Sequence, residues 1–376
     1  MSSWTPVWHQ AMTRMLFDGK MVGRKKTAGF TFPIYASGTA VRVRLSSLFG
    51  KEAALIGSLT FVYKHQVYDL TYNGEKFFRI SAGEQILTDA FNIHVEKATE
   101  AEIRIYYENS IIDGNMIEEG AVVMSGNHTH DAQLIQKKSI IAQKIGSYNP
   151  VPAIERIEVL SEEEHEVIVA FGDSITSMNR YCKPLNRRLY REYDGKYLLM
   201  NSGISGNCLL YEPDSFFGIM FGDKGVTRFE RDVLDFEHLK SVILALGVND
   251  VSYYDEKTKD IINLENYKAA ITDIVNELHK RGIRVIMTTI TPRLKVARTM
   301  GVFTKEMEEQ RLLFNEWIRS ADIFDDLVDQ EEAVRDYDAE GMFFKEGLHQ
   351  GDHLHPNHLG GSVMADNFDL KKLTGE

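Results

Sequence analysis

The stretch Val167-Ile168-Val169-Ala170-Phe171-Gly172-Asp173-Ser174-Ile175-Thr176 decides how this chain folds. Five apolar residues in a row, with no polar alternation, fit a strand covered on both faces, as in the middle of a parallel sheet. The glycine and the short polar residues that follow end the strand and open a helix. Similar apolar runs recur at 197–200, 242–246, 285–290 and 327–328, with helical periods between them. In 264–281, Ile271, Ile274, Val275 and Leu278 share one face, and Gly282 stands where a helix commonly terminates. A further helix is expected after Thr304, with Leu312, Leu313, Trp317 and Ile318 turned inward. Alternating strands and helices predict an α/β, doubly wound parallel sheet, whose chemistry gathers beyond the carboxyl ends of the strands.

Upstream the period changes from buried runs to alternation. Val41, Val43 and Leu45 face one way and Arg42 and Arg44 the other, and 101–107 repeats the scheme. Turn signals at Asn73-Gly74, Gly83-Glu84 and Asn109-Ser110 separate such segments. This pattern predicts an antiparallel β-sandwich-like domain over residues 1–155, a connector at 146–153 around Pro150 and Pro152, and the α/β domain over 156–376.

At 376 residues the chain is long enough for two cores. Its formal charge of −12 argues against nucleic acid or an anionic membrane as partner. The start, MSSWTPVWHQAMTRM, lacks a basic segment followed by an apolar one, so the expectation is cytoplasmic, or secreted if a leader has been removed. Two cysteines are too few for a disulfide framework.

Four strand-end segments carry the chemistry. Ser174 follows the first buried strand; it can act as a nucleophile, or it and its neighbours can simply cap a helix. Asn201-Ser202-Gly203-Ile204-Ser205-Gly206-Asn207 can bring a backbone N–H close to a ligand, or merely form a tight turn. Asn249, in Gly247-Val248-Asn249-Asp250, can donate to a developing oxyanion or close a turn. In Gly351-Asp352-His353-Leu354-His355-Pro356, an Asp and a His three apart can pair on a turn and leave one imidazole nitrogen for a serine.

Together these segments resemble the four ordered blocks of the GDSL/SGNH hydrolase family, over about residues 165–376. The resemblance implies a flavodoxin-like domain, Ser174 as nucleophile, Asp352 and His355 as acid and base, and an oxyanion hole from the N–H groups of Ser174 and Gly206 and the amide of Asn249. Ile175 stands where the name-giving motif has leucine, an apolar packing position. The segment 227–234, just before the third strand, adds to the similarity, and the period-two N-terminal half, notably VRVRLSSLFG at 41–50, resembles the β-domain that precedes the hydrolase domain in one bacterial branch. The resemblance implies an esterase for O-acyl groups, on carbohydrate and chiefly acetyl, acting on a small-molecule or oligosaccharide ester without metal or organic cofactor. A lipase for longer acyl chains and a non-catalytic carbohydrate-binding protein on the same scaffold are the alternatives.

Asp173, Phe217 and His353 are further candidates for substrate contact. The apolar run 215–221 reads as a pocket wall, as a face between subunits of a homo-oligomer, or as plain core filling. His349, His353, His355 and His358 crowd one segment and raise a zinc reading, which the absence of a nearby cysteine and the flexible flanks disfavour. Cys208 reads as a small buried hydrophobe, and 127–131, with its His-x-His, as a loop.

Overall fold

A computed structural model describes residues 2–15, 23–117, 120–140, 149–212, 218–252, 264–296, 303–339 and 341–376. The chain divides into two compact units: Met1–His165 with Asp214–Gly222, and Glu166–Pro213 with Asp223–Glu376.

The first unit is built of antiparallel strands. One sheet orders Ser3–His9, Ile154–Ser161, Gly38–Ser46 and Gln85–Leu87, with Phe91–Val95 also on Gly38–Ser46. Another orders Ala121–Ser125, Lys26–Ile34, Thr99–Tyr107, Ala54–Tyr63 and Gln66–Asp69, with Phe78–Ile80 also on Ala54–Tyr63. The alternation seen in the sequence becomes the core: Val41, Val43 and Leu45 from the first sheet and Phe30, Phe61, Ile103 and Ile105 from the second are buried. Trp8 of one sheet lies 4.5 Å, ring to ring, from Phe30 of the other. Arg104 departs from the expected outward face. It is buried, because its guanidinium donates to the carbonyls of Thr129 (2.9 Å) and Asp131 (2.7 Å) in the irregular 127–131 segment that covers it.

The unit runs past the boundary expected at residue 155. Ile154–Ser161 pairs with both Ser3–His9 and Gly38–Ser46, so its backbone partners lie in the first unit. Asn149–Pro152, expected as connector, pairs with Asp113–Ile117, and Ala153 N–H donates to the Asp113 carbonyl at 2.9 Å; residues 146–148 of that expected connector fall outside the described residues.

The second unit holds a five-stranded, wholly parallel sheet. Its strands are β1 (Glu166–Gly172), β2 (Tyr197–Gly203), β3 (Leu239–Ala245), β4 (Arg284–Thr288) and β5 (Asp326–Val328), in the order β2-β1-β3-β4-β5. This is the flavodoxin-like order, and it places the ends of β2 and β3 on either side of the end of β1. Gly172 is in register with Gly203 on one side and Ala245 on the other.

The helices that bear on the site are α1 (Ser174–Ser177), α2 (Cys182–Tyr193), α3 (Gly225–Phe229), α4 (Leu264–Lys280), α5 (Lys305–Ser320), α6 (Gln330–Val334) and α7 (His358–Asp366). α4 buries the predicted Ile271, Ile274, Val275 and Leu278, and Gly282 follows with φ +72°. The inner face of α5 differs from expectation. It carries Arg311, Phe314, Asn315 and Ile318, while Leu312 and Leu313 are exposed. Buried polar groups set that rotation: Arg311 pairs with Glu308 and Glu331, and Asn315 donates to the Ile290 carbonyl (2.8 Å) and accepts from its N–H (2.7 Å). Among the described residues, no helix is long and apolar enough to cross a membrane.

Candidate active site

Ser174 is the first residue of α1, immediately past the end of β1. The capping reading of its segment holds for Asp173. Asp173 caps the helix, its Oδ1 accepting from Ile175 N–H at 3.0 Å, and the cap leaves the Ser174 hydroxyl free to turn elsewhere. It turns to His355, whose Nε2 lies 2.8 Å from Ser174 Oγ. His355 Nδ1 in turn lies 2.7 Å from Asp352 Oδ2. A carboxylate there can only accept, so Nδ1 carries the proton and the Nε2 lone pair faces the serine. Ser174 and His355 are buried.

The Asp352–His355 turn is held locally. Asp352 Oδ1 accepts from the N–H groups of Leu354 (3.0 Å) and His355 (2.9 Å), and Gln350 Nε2 donates to Oδ2 at 3.1 Å. Burial disfavours the Asp352 anion. The hydrogen bond and charge of His355 outweigh it and hold the carboxyl well below its ordinary range.

Beside β1, Gly206 follows β2 with φ +78°, a backbone conformation that favours glycine. Gly203 is needed for another reason: a Cβ there would meet Ser177 N at 2.3 Å, so its absence lets α1 sit against β2. Asn249 follows β3. Its Nδ2 donates to the Asn207 carbonyl at 3.0 Å, and its Oδ1 accepts from Arg293 Nη1 at 3.3 Å. The amide is therefore oriented from both ends, with one N–H of Nδ2 left over.

Two arginines that sequence reading gave no functional part organise these ends. Arg228 of α3 is wholly buried. It donates to the Gly172 carbonyl (2.9 Å), the Ser202 carbonyl (2.9 Å), Asn207 Oδ1 (2.9 Å) and Asp232 Oδ2 (3.0 Å), so one guanidinium ties β1, β2 and the loop after β2. Arg293, also buried, donates to the Val248 carbonyl at 3.2 Å as well as to Asn249. Asp250, beside Asn249, accepts from Leu209 and Leu210 N–H at 2.9 and 3.0 Å and pins the same loop. The only signal in the sequence was two arginines and two acidic residues near apolar strand ends, where a charge needs a partner.

Burial raises the Asp173 carboxyl to about 7 and the Asp250 carboxyl to about 6. Asp173 lines a cavity with Val248, Thr289, Gln330 and Met364, and neither Ser174 nor His355 belongs to that lining. His353 lies against His349, the rings tilted by 34° with centroids 4.2 Å apart, and its Nδ1 lies 3.6 Å from Glu346 Oε1. Phe217 lies outside the described residues. Of its apolar run, Gly218–Phe221 is grouped with the first unit, where Thr13 Oγ1 donates to the Met220 carbonyl at 2.9 Å. Cys208 is buried, and burial pushes its thiol well up, against a nucleophilic role.

The model of the GDSL-like lipase/acylhydrolase family matches residues 168–368, more than half of the chain. This protein belongs to that family. The GDSL hydrolase is accordingly a carboxylic ester hydrolase. Among solved structures, an acetyl xylan esterase variant from Geobacillus stearothermophilus is similar at 20% identity and a TM-score of 0.41, covering 56% of this chain and 95% of that one. A GDSL-like lipase from Bacteroides thetaiotaomicron is similar at 16% identity and a TM-score of 0.40, covering 56% and 89%. No curated protein sequence matches the GDSL hydrolase.

Proposed function

We propose that this GDSL hydrolase is a serine esterase that removes O-acyl groups, chiefly acetyl, from carbohydrate. The observation that carries the reading is the unbroken hydrogen-bond line from Ser174 Oγ through His355 to Asp352. His355 Nε2 takes the serine proton as Oγ attacks the ester carbonyl. The resulting oxyanion is met by the N–H groups of Ser174 and Gly206 and by the remaining N–H of Asn249. His355 then returns the proton to the leaving alcohol. Water, activated by the same imidazole, releases the acid from Ser174. Asp352 orients His355 and stabilises its charged form. The preference for a carbohydrate alcohol rests on the family resemblance.

The test is hydrolysis of p-nitrophenyl esters from acetate to palmitate, and of an acetylated oligosaccharide, by wild type and Ser174→Ala. The reading expects acetate to be the best ester, acetate release from the oligosaccharide, and a loss of about 10⁴-fold or more in kcat in the variant. Preference for long chains would move the assignment to a lipase. Equal rates in both proteins would remove Ser174 as nucleophile.

A further inference from the structure

The loop that presents Asp352 and His355 is folded around a second histidine. His349 and Pro356 form an isolated antiparallel bridge, Gln350 N–H donates to the His355 carbonyl at 2.9 Å, and Asn357 Nδ2 ties the carbonyls of Gly347 (2.7 Å) and His349 (3.1 Å). Inside this closed loop the His349 side chain is only 4% exposed. Its Nδ1 lies 3.0 Å from Gly351 N and 3.2 Å from His353 N, so two backbone N–H groups, one on each side of Asp352, point at one ring nitrogen.

A backbone N–H can only donate, so Nδ1 must present its lone pair and the ring proton must sit on Nε2. Nε2 is buried with no hydrogen-bond partner among the described residues, and Glu346 is in ion-pair reach of it. Glu346 Oε2 is 3.3 Å from Nε2, the His353 ring lies alongside, and the Phe344 ring meets it edge-on at 6.0 Å. The titratable groups acting on the ring are Glu346, Asp352 and His353. Burial first, and then His353, lowers the His349 basicity, while Glu346 and Asp352 oppose them. The neutral ring is thus favoured at neutral pH.

The same tautomer speaks against a cation here, although Glu346, His349 and His353 bring ligand-type atoms within 4.8 Å of one another. A neutral imidazole binding through Nε2 must carry its proton on Nδ1, where two N–H groups already point.

We infer that His349 is the positioning residue of the Asp352–His355 turn, that its neutral, Nε2-protonated ring anchors the turn through Gly351 and His353, and that a proton added at Nδ1 releases it. The inference rests on the proposed parts of Asp352 and His355. Protonation turns an acceptor facing two donors into a third donor, and the turn must open to relieve the conflict. Acid then acts on the acid–base pair through the ring that shapes its loop as well as at the pair itself.

Three measurements test this together. Nitrogen-15 NMR of histidine-labelled protein should find His349 protonated at Nε2 and bare at Nδ1 at pH 8. The pattern should be the same in Ser174→Ala, since it needs neither substrate nor turnover. In wild type the acid limb of log kcat/KM should steepen to a slope of about two, and in His349→Asn, which has an acceptor near the position of Nδ1 but no titration, to about one. At pH 8, His349→Leu should lose roughly 10- to 100-fold in kcat with KM little changed, and His349→Asn should recover about tenfold of that. An Nδ1-protonated ring at pH 8, an Asn variant with the wild-type acid slope, or a Leu variant with wild-type kcat would each overturn the inference. Full activity in Ser174→Ala would instead strike the esterase mechanism while leaving the NMR result standing.

Discussion

Replacing Arg293 by methionine should slow the GDSL hydrolase only while Asn249 is present. Asn249 Oδ1 accepts from Arg293 Nη1 at 3.3 Å and its Nδ2 donates to the Asn207 carbonyl at 3.0 Å, so on the proposed mechanism the arginine keeps the amide from rotating its remaining N–H away from the oxyanion. Removing the amide, Asn249→Ala, deletes one oxyanion donor and should cost about 3 kcal/mol of barrier, roughly 10²- to 10³-fold in kcat. The Arg293 bond is charge-assisted but long, so the lower end of that class applies, about 1.5 kcal/mol, or roughly tenfold in kcat. In the Asn249→Ala background the guanidinium has no amide to hold, and the same substitution should then change kcat little. The double-mutant cycle should therefore return a coupling of about 1 to 1.5 kcal/mol. The assay is kcat on p-nitrophenyl acetate for the four proteins at one pH, each checked by its melting curve. Additive losses would refute the reasoning, because they would mean that Arg293 acts on the reacting atoms or on the fold rather than through Asn249.

Arg228→Met should be a stability lesion before it is a catalytic one. It strips a donor from the Gly172 and Ser202 carbonyls and from Asn207, and it leaves Asp232 with Arg231 as its remaining ion-pair partner. Breaking a buried pair of this kind costs about 3–5 kcal/mol, so the melting temperature should fall by roughly 6–20 °C; a fall under about 2 °C would contradict the account. Asp173 makes a pH-dependent prediction. Burial raises its folded pKa to about 7 from 3.8. The protonated form is thus the one the fold prefers, and the stability it contributes is full below pH ~4 and lost as pH rises through about 7. Asp173→Asn retains a cap acceptor for Ile175 N–H and cannot ionise, so its melting temperature should gain on wild type from pH 5 to about pH 7 and then level off toward pH 8. A difference that does not change with pH would refute the raised pKa.

Much of this could be read from neighbouring residues. The run Val167–Phe171 announced a two-faced strand because burial on both sides leaves no polar alternation, and all five side chains are buried in β1. The three-residue spacing of Asp352 and His355 is a local fact that the turn converts into a hydrogen bond, whereas the bond from His355 to Ser174 joins distant parts of the chain and needs the assembled fold. Other features escaped because their partners are remote. Ile154–Ser161 joined the first unit through pairing with Ser3–His9 at the far end of that unit. α5 showed leucines at helical spacing, yet it turned Leu312 and Leu313 outward because Arg311 and Asn315 found Glu331 and Ile290. The histidine-rich segment marked His355 by its spacing from Asp352, but nothing in it said that the loop closes upon His349.

The order of apolar and polar residues by itself determined the alternating first half, the parallel sheet of the second, and the strand ends at which Ser174, Gly206 and Asn249 stand. Periodicity and turn chemistry are properties of consecutive residues, and a strand buried on both faces has few other compositions open to it. Only the tertiary structure decided which charges meet: Arg228 on Gly172, Ser202 and Asn207, Arg293 on Asn249, and two backbone N–H groups on His349. A long polar side chain is buried only where acceptors from separate strand ends converge within hydrogen-bond reach, and that convergence exists only once the sheet has been assembled.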